Sequence, residues 1–225
     1  MKLKYDLHIH SGLSQCGDVL MSPNNILNVC SMVGLDLISI TDHNSCLQLD
    51  VIFEIAESFD FVVIPGIEVS VEGFHVLVYF KTLEYAKSFS KDLEKYLISN
   101  DKKYDEEYLF DVYDLVKGLY DKPLIDTTIK YDEFYELAKK YEGLIILAHI
   151  DRMNTSCLKK YKLSELRFDG IEITSYADKD FYNQYKDYKI LTNSDSHSLI
   201  EIRDENNEIE LESKSIEGFF RYFYE

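Results

Sequence analysis

The sequence predicts an α/β fold, and the specific expectation is a small (β/α) barrel. Segments with the apolar and β-branched composition of buried strands alternate with segments of helical periodicity, which indicates a parallel sheet. About seven such strand segments can be recognised, and 225 residues leave little chain beyond them. No internal repeat or Pro/Gly-rich linker divides the sequence, so we expect a single domain over residues 1–225.

The first half of the chain alternates strands and helices. It opens with the strand segment LKYDLHIH, and Ser22-Pro23 then supplies an N-cap and a first-turn proline for a helix that ends at Gly34. LDLISIT (35–41) is the next buried strand, and a helix is predicted at about 45–59. FVVIPGIEVS and FHVLVYF follow as two strands joined by a tight turn at Glu72-Gly73.

The second half begins with a highly charged block and ends with strands. Residues 82–140 have a helical pattern, so we expect a helical insertion of two or three helices. Its charged composition is typical of a solvated layer, and the functional alternative is a cap over the barrel mouth that selects the substrate. Three further strands are predicted in GLIILAHI (143–150), FDGIEIT (168–174) and YKILTNSD (188–195).

Composition restricts the partners and the compartment. The 24 basic and 41 acidic side chains give a net charge of −17, which argues against long nucleic acid but leaves a short oligonucleotide possible. No apolar run approaches the ~18 residues of a membrane span, and the N terminus shows no secretion signal. The cysteines form no CxxC pair, so we expect reduced thiols and a cytoplasmic protein.

Histidines concentrate at predicted strand ends. All six lie at the end of a strand, just after one, or at the start of the second hairpin strand: His8, His10, His43, His149, His197 and His75. The loops at the carboxyl ends of barrel strands converge on one mouth. A single histidine is as often a core residue, but six at such positions are not expected by chance. The pattern predicts that the imidazoles meet.

Carboxylates accompany these histidines. Glu68 stands in PGIEVS, Asp195 precedes a histidine in NSDSHS, and Asp42 adjoins one in TDHN. Successive odd or even positions of a strand point to one side, so His8 and His10 can hold one ion together. Neutral imidazole combined with carboxylate suits Zn, Mn and Fe. We therefore expect a site for divalent cations at this mouth.

The motifs together resemble those of the polymerase-and-histidinol-phosphatase (PHP) superfamily of metal-dependent phosphoesterases. The matching stretches occur in the family's order from residue 5 to about 198: DLHIHS, GLDLISITDHN, VIPGIEVS, FHVLVYF, LAHIDR and TNSDSHS. HxH alone is weak, because amidohydrolases also begin with it, whereas HxH, TDH, PGxE and SDxH together are specific. The resemblance implies a distorted, TIM-like (β/α)7 barrel holding two or three divalent metal ions.

The resemblance also implies which residues bind each ion. For the first ion these are His8, His10, Glu68 and Asp195. For the second ion they are Glu68, His75 and His149. For the third they are His43, His197 and a ligand from the loop GLSQCGDV, for which Cys16 is preferred over Asp18. A small buried thiol is the alternative interpretation of Cys16.

Other polar residues next to the ligands have predicted roles. Arg152, in AHIDR, is expected to clamp a phosphate, and the alternative is a surface ion pair with Asp151 or a neighbour. Asn44 and Ser70 are candidates for contacts with substrate or with ligands.

Two carboxylates have more than one predicted role. Asp42 is expected to orient a histidine, and it is also one of several candidates for the proton donor to the leaving group. Glu172 is a candidate to support a ligand or to line the site.

The implied reaction is hydrolysis of a phosphate ester by metal-bound hydroxide. The expected substrate is a small phosphomonoester, such as a nucleotide or a compound like histidinol phosphate. One alternative is a nuclease of the same superfamily that acts at 5′ ends, and another is an inactive metal-binding scaffold. A C–N-cleaving amidohydrolase ranks lowest, because no lysine stands where such enzymes carry a carboxylated one.

Overall fold

The computed structural model describes residues 1–98, 107–119, 124, 126–202 and 207–225 as a mixed α/β fold. Its strands are β1 (Lys2–Ile9), β2 (Leu37–Ile40), β3 (Val62–Val63), β4 (Gly66–Val71), β5 (Phe74–Tyr79), β6 (Tyr108–Phe110), β7 (Val116–Leu119), β8 (Leu144–Leu147), β9 (Gly170–Glu172), β10 (Ile190–Leu191) and β11 (Glu208–Glu210). Its α-helices are α1 (Pro23–Val33), α2 (Leu49–Ala56), α3 (Leu83–Leu93), α4 (Tyr131–Lys140), α5 (Lys179–Gln184) and α6 (Ile216–Tyr224).

The strands form two main sheets. One has the order β11-β1-β2-β3 and the other β10-β9-β8-β5-β4. The pairs β1–β2, β2–β3, β8–β9 and β9–β10 are parallel and the hairpin pair β4–β5 is antiparallel, as expected, but β5 is also antiparallel to β8. Isolated parallel bridges, Ile9–Ser196 and His43–Glu68, link the two sheets at their seams. Among the described residues, the two sheets and the bridges between them therefore enclose an interior. They do not form one continuous barrel sheet.

Local sequence signals explain where the elements begin and end. Helix α1 ends at Gly34, which has a left-handed φ of 75° that glycine adopts without strain. The hairpin turn between β4 and β5 places Glu72 at φ 51° and Gly73 at φ 87°, as a type I′ turn requires. The single strand predicted over FVVIPGIEVS is interrupted at Ile64-Pro65, since proline has no N–H for a ladder bond.

The core has two buried apolar clusters on opposite faces of the strands. Alternate residues such as Leu77 and Ile146 pack inward against the aromatic face of α6, while their neighbours pack against the other helices. Leu7 belongs to the inner cluster and Ile9 to the outer one, because the β1–β2 register shifts between Asp6 and Ile9. This irregularity lets His8 and His10 face the interior in line with Leu7.

The insertion differs from the prediction. Helices α3 and α4 occupy its two ends, but a two-stranded hairpin, β6–β7, lies between them where helix was expected. The helical prediction over 99–106, 120–123 and residue 125 falls outside the described residues. The sequence does not reveal this hairpin, because its strands are short and charged side chains interrupt the alternation of apolar and polar residues.

Hydrogen bonds attach this segment to the loops at the ends of three strands. Tyr108 N–H donates to the Gly12 carbonyl (2.7 Å), and Thr127 Oγ1 donates to the Ser70 carbonyl (2.6 Å). The Gln48 side chain exchanges two bonds with the Phe110 backbone (2.9 and 3.1 Å). The described part of residues 82–140 therefore contacts the edge of the sheets where the histidine motifs end.

Two further expectations can be compared with the described residues. Each helix among the described residues is too short or too polar to cross a bilayer. The four cysteines are free thiols, as predicted.

Candidate metal centre

The first group of ligand atoms comes from three distant parts of the chain. His8 lies on β1, His10 directly after it, Glu68 on β4 and Asp195 after β10, and one ligand atom from each lies within 4.8 Å of the others. The His8 and His10 Nε2 atoms are 3.2 Å apart, and Asp195 Oδ1 lies 3.1 Å from each of them. All four side chains are buried. This is the set implied for the first ion.

The second group also includes Glu68. Its Oε1 atom lies 3.0 Å from His75 Nδ1 and 3.1 Å from His149 Nε2, the partners implied for the second ion. His43 Nδ1 approaches Glu68 Oε2 at 3.0 Å and completes a cluster with Glu68 and His75. Glu68 is thus central to the imidazoles, as a bridging carboxylate requires.

The third group includes the cysteine. Ligand atoms of His10, Cys16, His43 and His197 lie within 4.8 Å of one another. His197 Nδ1 lies 2.8 Å from the Asp195 carbonyl oxygen, so an N–H donated there leaves Nε2 free to bind a cation. His10 joins this group in addition to the residues that were expected.

The loop after β1 distinguishes between the two residues proposed for the third ion. Cys16 is exposed, which contradicts its interpretation as a small buried thiol, and it lies beside three imidazoles. The side chain of Asp18 instead accepts a hydrogen bond from the Leu20 N–H (2.8 Å). Geometry therefore favours Cys16 over Asp18 as a ligand.

The donor set fits divalent cations. Glu68 Oε2 and His43 Nδ1 are buried 3.0 Å from each other, but their orientation makes no hydrogen bond between them or to another described residue. The His8 and His10 Nε2 atoms face each other, an arrangement that a cation between their lone pairs stabilises. Nitrogen, oxygen and sulfur donors in this combination suit Zn, Mn or Fe.

The carboxylates of the centre remain ionised. Burial alone would raise the pKa of Glu68, but its interactions with His75, His8 and His43 outweigh burial and hold this pKa well below its usual range. Burial likewise raises the pKa of Asp195, and the charge of His8 brings it well below the usual range. Both carboxylates are therefore candidates to bind a cation as anions.

Glu172 supports the first group from behind. Its two oxygens each lie 3.1 Å from His8 Nδ1, and they also accept from the Asn193 side chain (2.6 Å) and the His149 N–H (2.9 Å). Asn193 in turn accepts from the Leu7 N–H (2.9 Å). This network directs His8 Nε2 at the cluster, so Glu172 supports a ligand and is more than lining.

Asp42 supports the centre through serine residues. It accepts from Ser11 N–H (2.7 Å) and from the Ser11 and Ser14 hydroxyls (2.6 and 2.7 Å). Ser14 Oγ lies 3.0 Å from His10 Nδ1 and accepts the His43 N–H at 3.0 Å. Asp42 therefore orients histidines indirectly, and no described contact places it at the ligand atoms.

The remaining predicted residues have different surroundings. The Arg152 guanidinium pairs with Asp195, not with Asp151, whose carboxylate accepts the Thr174 N–H (2.9 Å). Arg152 is 39% exposed and lies at the opening of the centre.

Asn44 and Ser70 serve the framework. The Asn44 side chain accepts the Ser70 N–H (2.9 Å) and donates to the Leu124 carbonyl (2.6 Å), and both residues are buried. These contacts connect the loop after β2 and strand β4 to Leu124. They give no support to the expectation that either residue touches substrate.

Sequence reasoning missed part of the supporting shell. Ser14 and Asn193 contact ligands or their partners, but serine and asparagine are common, and only their neighbouring motifs HIHS and TNSD could have drawn attention to them. Backbone strain was also unpredicted. Asn44, His149 and Asp195 have positive φ values of 53°, 29° and 51°, conformations that cost roughly 1–3 kcal/mol each and concentrate at functional sites.

Comparison with known proteins concerns the family and the fold. The family model of the PHP domain matches residues 6–211. No curated protein matches the chain in sequence. A candidate metal-dependent phosphoesterase from Bifidobacterium adolescentis has a TM-score of 0.61 at 16% identity, and the match covers 97% of this chain and 94% of that one.

A second kind of structural neighbour is a nuclease. The lesion-specific endonuclease Q from Pyrococcus furiosus has a TM-score of 0.74 at 21% identity over 99% of this chain and 56% of its own. Endonuclease Q in complex with a 27-mer duplex carrying an abasic lesion at its active site has a TM-score of 0.75 at 20% identity, over 100% and 57%. This chain therefore spans little more than half the length of these nucleases. At such identities the likeness shows the fold alone.

Proposed function

This chain belongs to the PHP domain family, and from that premise we propose which ester it cleaves and how its residues divide the work. It is a metal-dependent hydrolase of phosphate ester bonds. We propose that the substrate is a small phosphomonoester, such as a nucleotide or a compound like histidinol phosphate. Water adds to phosphorus, the bond to the ester oxygen breaks, and the alcohol leaves with a proton.

The observation that carries the proposal is the convergence of ligands around Glu68. Ring nitrogens of His8, His10, His75 and His149 lie 3.0–3.3 Å from its oxygens, and Asp195 lies beside His8 and His10. We assign these residues to two cations, and His43, Cys16 and His197 to a third. When bound, such cations lower the pKa of a coordinated water towards ~7 and neutralise phosphate oxygens.

Protein side chains position the reactants. The Arg152 guanidinium lies at the opening of the centre and pairs with Asp195. We propose that it would donate to two phosphate oxygens when Asp195 binds a cation and no longer pairs with it. Glu172 and Asp42 keep His8 and His10 in the rotamers that point at the cluster. Reactants held in this way react faster, because the entropic cost of bringing them together has already been met on binding.

The insertion is proposed as a cap on a TIM-like distorted barrel. Its contacts with the loops that carry Gly12, Asn44 and Ser70 place it beside the ligands. A cap limits the length of ester that can enter, which favours a small substrate. The alternative is a short oligonucleotide, because endonuclease Q acts on DNA and shares the fold. An inactive scaffold is disfavoured by the complete set of ligands.

Variants His8→Ala and Asp195→Ala test the assignment. Each removes a donor from the first cluster, so hydrolysis of p-nitrophenyl phosphate by protein reloaded with Zn²⁺ or Mn²⁺ is expected to fall to background. Activity and bound metal are measured on the same samples. The matched control is His197→Ala, which leaves that cluster intact and is expected to lose only part of the bound metal. Full turnover by either first-cluster variant contradicts the proposal.

A further inference from the structure

A carboxyl group from the inserted segment lies buried near the metal centre. Glu107 directly precedes β6 and is 5% exposed. Its Oε1 atom accepts the Leu124 N–H (2.9 Å), whereas its Oε2 atom is buried and has no hydrogen-bond partner among the described residues. Such atoms are rare in native proteins, and catalytic groups are among those that have them. Glu107 Oε2 can therefore bind a group that the described part of the protein does not supply.

Leu124 connects this carboxyl group to the loop after β2. The Leu124 carbonyl accepts from the Asn44 side chain (2.6 Å), while the Leu124 N–H donates to Glu107. Asn44 directly follows the ligand candidate His43. Glu107 also interacts electrostatically with His43 and Asp42. The carboxyl group therefore lies near the side of the centre that His43 forms.

The chain next to Glu107 packs on the loop after β1. The Tyr108 N–H donates to the Gly12 carbonyl (2.7 Å). The Phe110 ring lies so close to Gly12 that a Cβ atom at this glycine would be 2.9 Å from the ring. Glu107 is therefore held between the loops after β1 and β2, both of which carry ligand candidates.

Glu107 differs from the ligand candidates in two respects. Its carboxyl oxygens belong to none of the three ligand groups found among the described residues. Burial raises the pKa of Glu107 to about 7, although the hydrogen bond from Leu124 opposes this shift. The pKa values of Glu68 and Asp195 are instead held well below their usual range. Glu107 is therefore the carboxyl group suited to give up a proton near neutral pH.

Hydrolysis of a phosphate ester benefits from such an acid. The leaving oxygen of an ester of a weakly acidic alcohol would otherwise depart as a strongly basic anion. Asp42 is a weaker candidate for this acid, because its oxygens already accept hydrogen bonds from the Ser11 N–H and from the Ser11 and Ser14 hydroxyls. Glu107 has the unpaired oxygen that Asp42 lacks.

We propose that Glu107 is the catalytic acid that protonates the leaving oxygen of the ester. The inference rests on the proposed function and adds a catalytic residue to it. As the bond from phosphorus to the ester oxygen breaks, its electron pair stays on that oxygen, which takes the proton from Glu107 Oε2. The carboxylate then regains a proton that the attacking water has released. In this way the inserted segment supplies a reacting group as well as limiting which esters enter.

The experiment compares two esters of similar shape that differ in their need for a proton. p-Nitrophenyl phosphate releases an anion that is stable at neutral pH, whereas phenyl phosphate releases a more basic one. Wild-type protein reloaded with Zn²⁺ or Mn²⁺ is expected to hydrolyse both. Glu107→Gln keeps the shape of the side chain but has no acidic proton. Its kcat/KM for phenyl phosphate is expected to fall about 100-fold or more, while that for p-nitrophenyl phosphate changes little.

Thr127→Val is the matched control, because Thr127 is a buried residue that attaches the same segment to the Ser70 carbonyl (2.6 Å). Loosening the segment is expected to slow the two esters to the same extent. Infrared spectra test protonation without turnover. Metal-loaded wild-type protein at neutral pH is expected to show the carbonyl band of a protonated carboxyl group that Glu107→Gln lacks.

Three results would overturn the role of Glu107. They are equal slowing of both esters by Glu107→Gln, absence of the infrared band, and failure of wild-type protein to hydrolyse phenyl phosphate while it hydrolyses p-nitrophenyl phosphate. The last result does not depend on how well the variant folds. Each of them leaves the phosphoesterase proposal in place, whereas failure to hydrolyse either ester with metal bound removes both proposals.

Discussion

Substitution Glu172→Gln asks whether the carboxylate behind His8 sets the metal affinity of the centre. Glu172 Oε1 accepts from the Asn193 side chain, its Oε2 accepts from the His149 N–H, and both oxygens lie 3.1 Å from His8 Nδ1. An N–H on Nδ1 that donates to Glu172 leaves the Nε2 lone pair directed at Glu68 and Asp195. The substitution preserves shape and removes the charge.

The expected magnitude follows from these contacts. Glutamine offers one acceptor oxygen, so in either orientation its NH₂ group faces one of the two N–H donors of Asn193 and His149. One buried donor is left unsatisfied, which costs about 1–3 kcal/mol of stability. Loss of a partner that orients a metal ligand weakens metal affinity about 10- to 100-fold, or roughly 1.4–2.8 kcal/mol.

The assay titrates metal-free protein with Zn²⁺ in competition with a chromogenic chelator, and urea unfolding of the same protein measures its stability. Asp169→Asn is the matched control, since Asp169 is a partly buried carboxylate that accepts from Lys139 Nζ (2.7 Å) and the Ile145 N–H (2.8 Å) away from the ligands. The control is expected to lose stability and keep metal affinity. Unchanged affinity in a folded Glu172→Gln variant refutes the reasoning.

Two further predictions concern the third ion and the hairpin turn. Cys16→Ser is expected to remove one equivalent of metal by elemental analysis, Cys16→Asp to restore it, and Asp18→Asn to change nothing; equal metal content in all variants contradicts the role of the thiol. Glu72→Gln is expected to lower the free energy of unfolding by roughly 1–3 kcal/mol at pH 7. Burial alone would raise the pKa of Glu72. The hydrogen bonds that its carboxylate accepts from Lys160, the Tyr131 N–H and the Tyr161 hydroxyl lower this pKa to about 2. This stabilisation is present above about pH 4.5 and is lost as the pH falls towards 2, so variant and wild-type stabilities should converge there in urea titrations.

Much of the fold was predictable because its signals are local. Ser22-Pro23 and Gly34 mark the ends of α1, and the Glu72-Gly73 turn joins two strands with the expected alternation. The antiparallel pairing of β5 with β8 and the β6–β7 hairpin were not predictable, because strand direction and pairing depend on partners far along the chain. Strands β8 and β5 pair across more than sixty residues, and nothing in either segment specifies that partner.

The sequence by itself determined which side chains meet. Histidines and carboxylates at strand ends must converge when the strands lie side by side, and the period of two in a strand sets their direction. Only the tertiary structure decided how they meet: the register shift that turns His8 inward, the central position of Glu68, the pairing of Arg152 with Asp195, and the support from Ser14 and Asn193. These features depend on contacts between residues up to 187 positions apart, and such contacts exist only after the two sheets close around a shared interior.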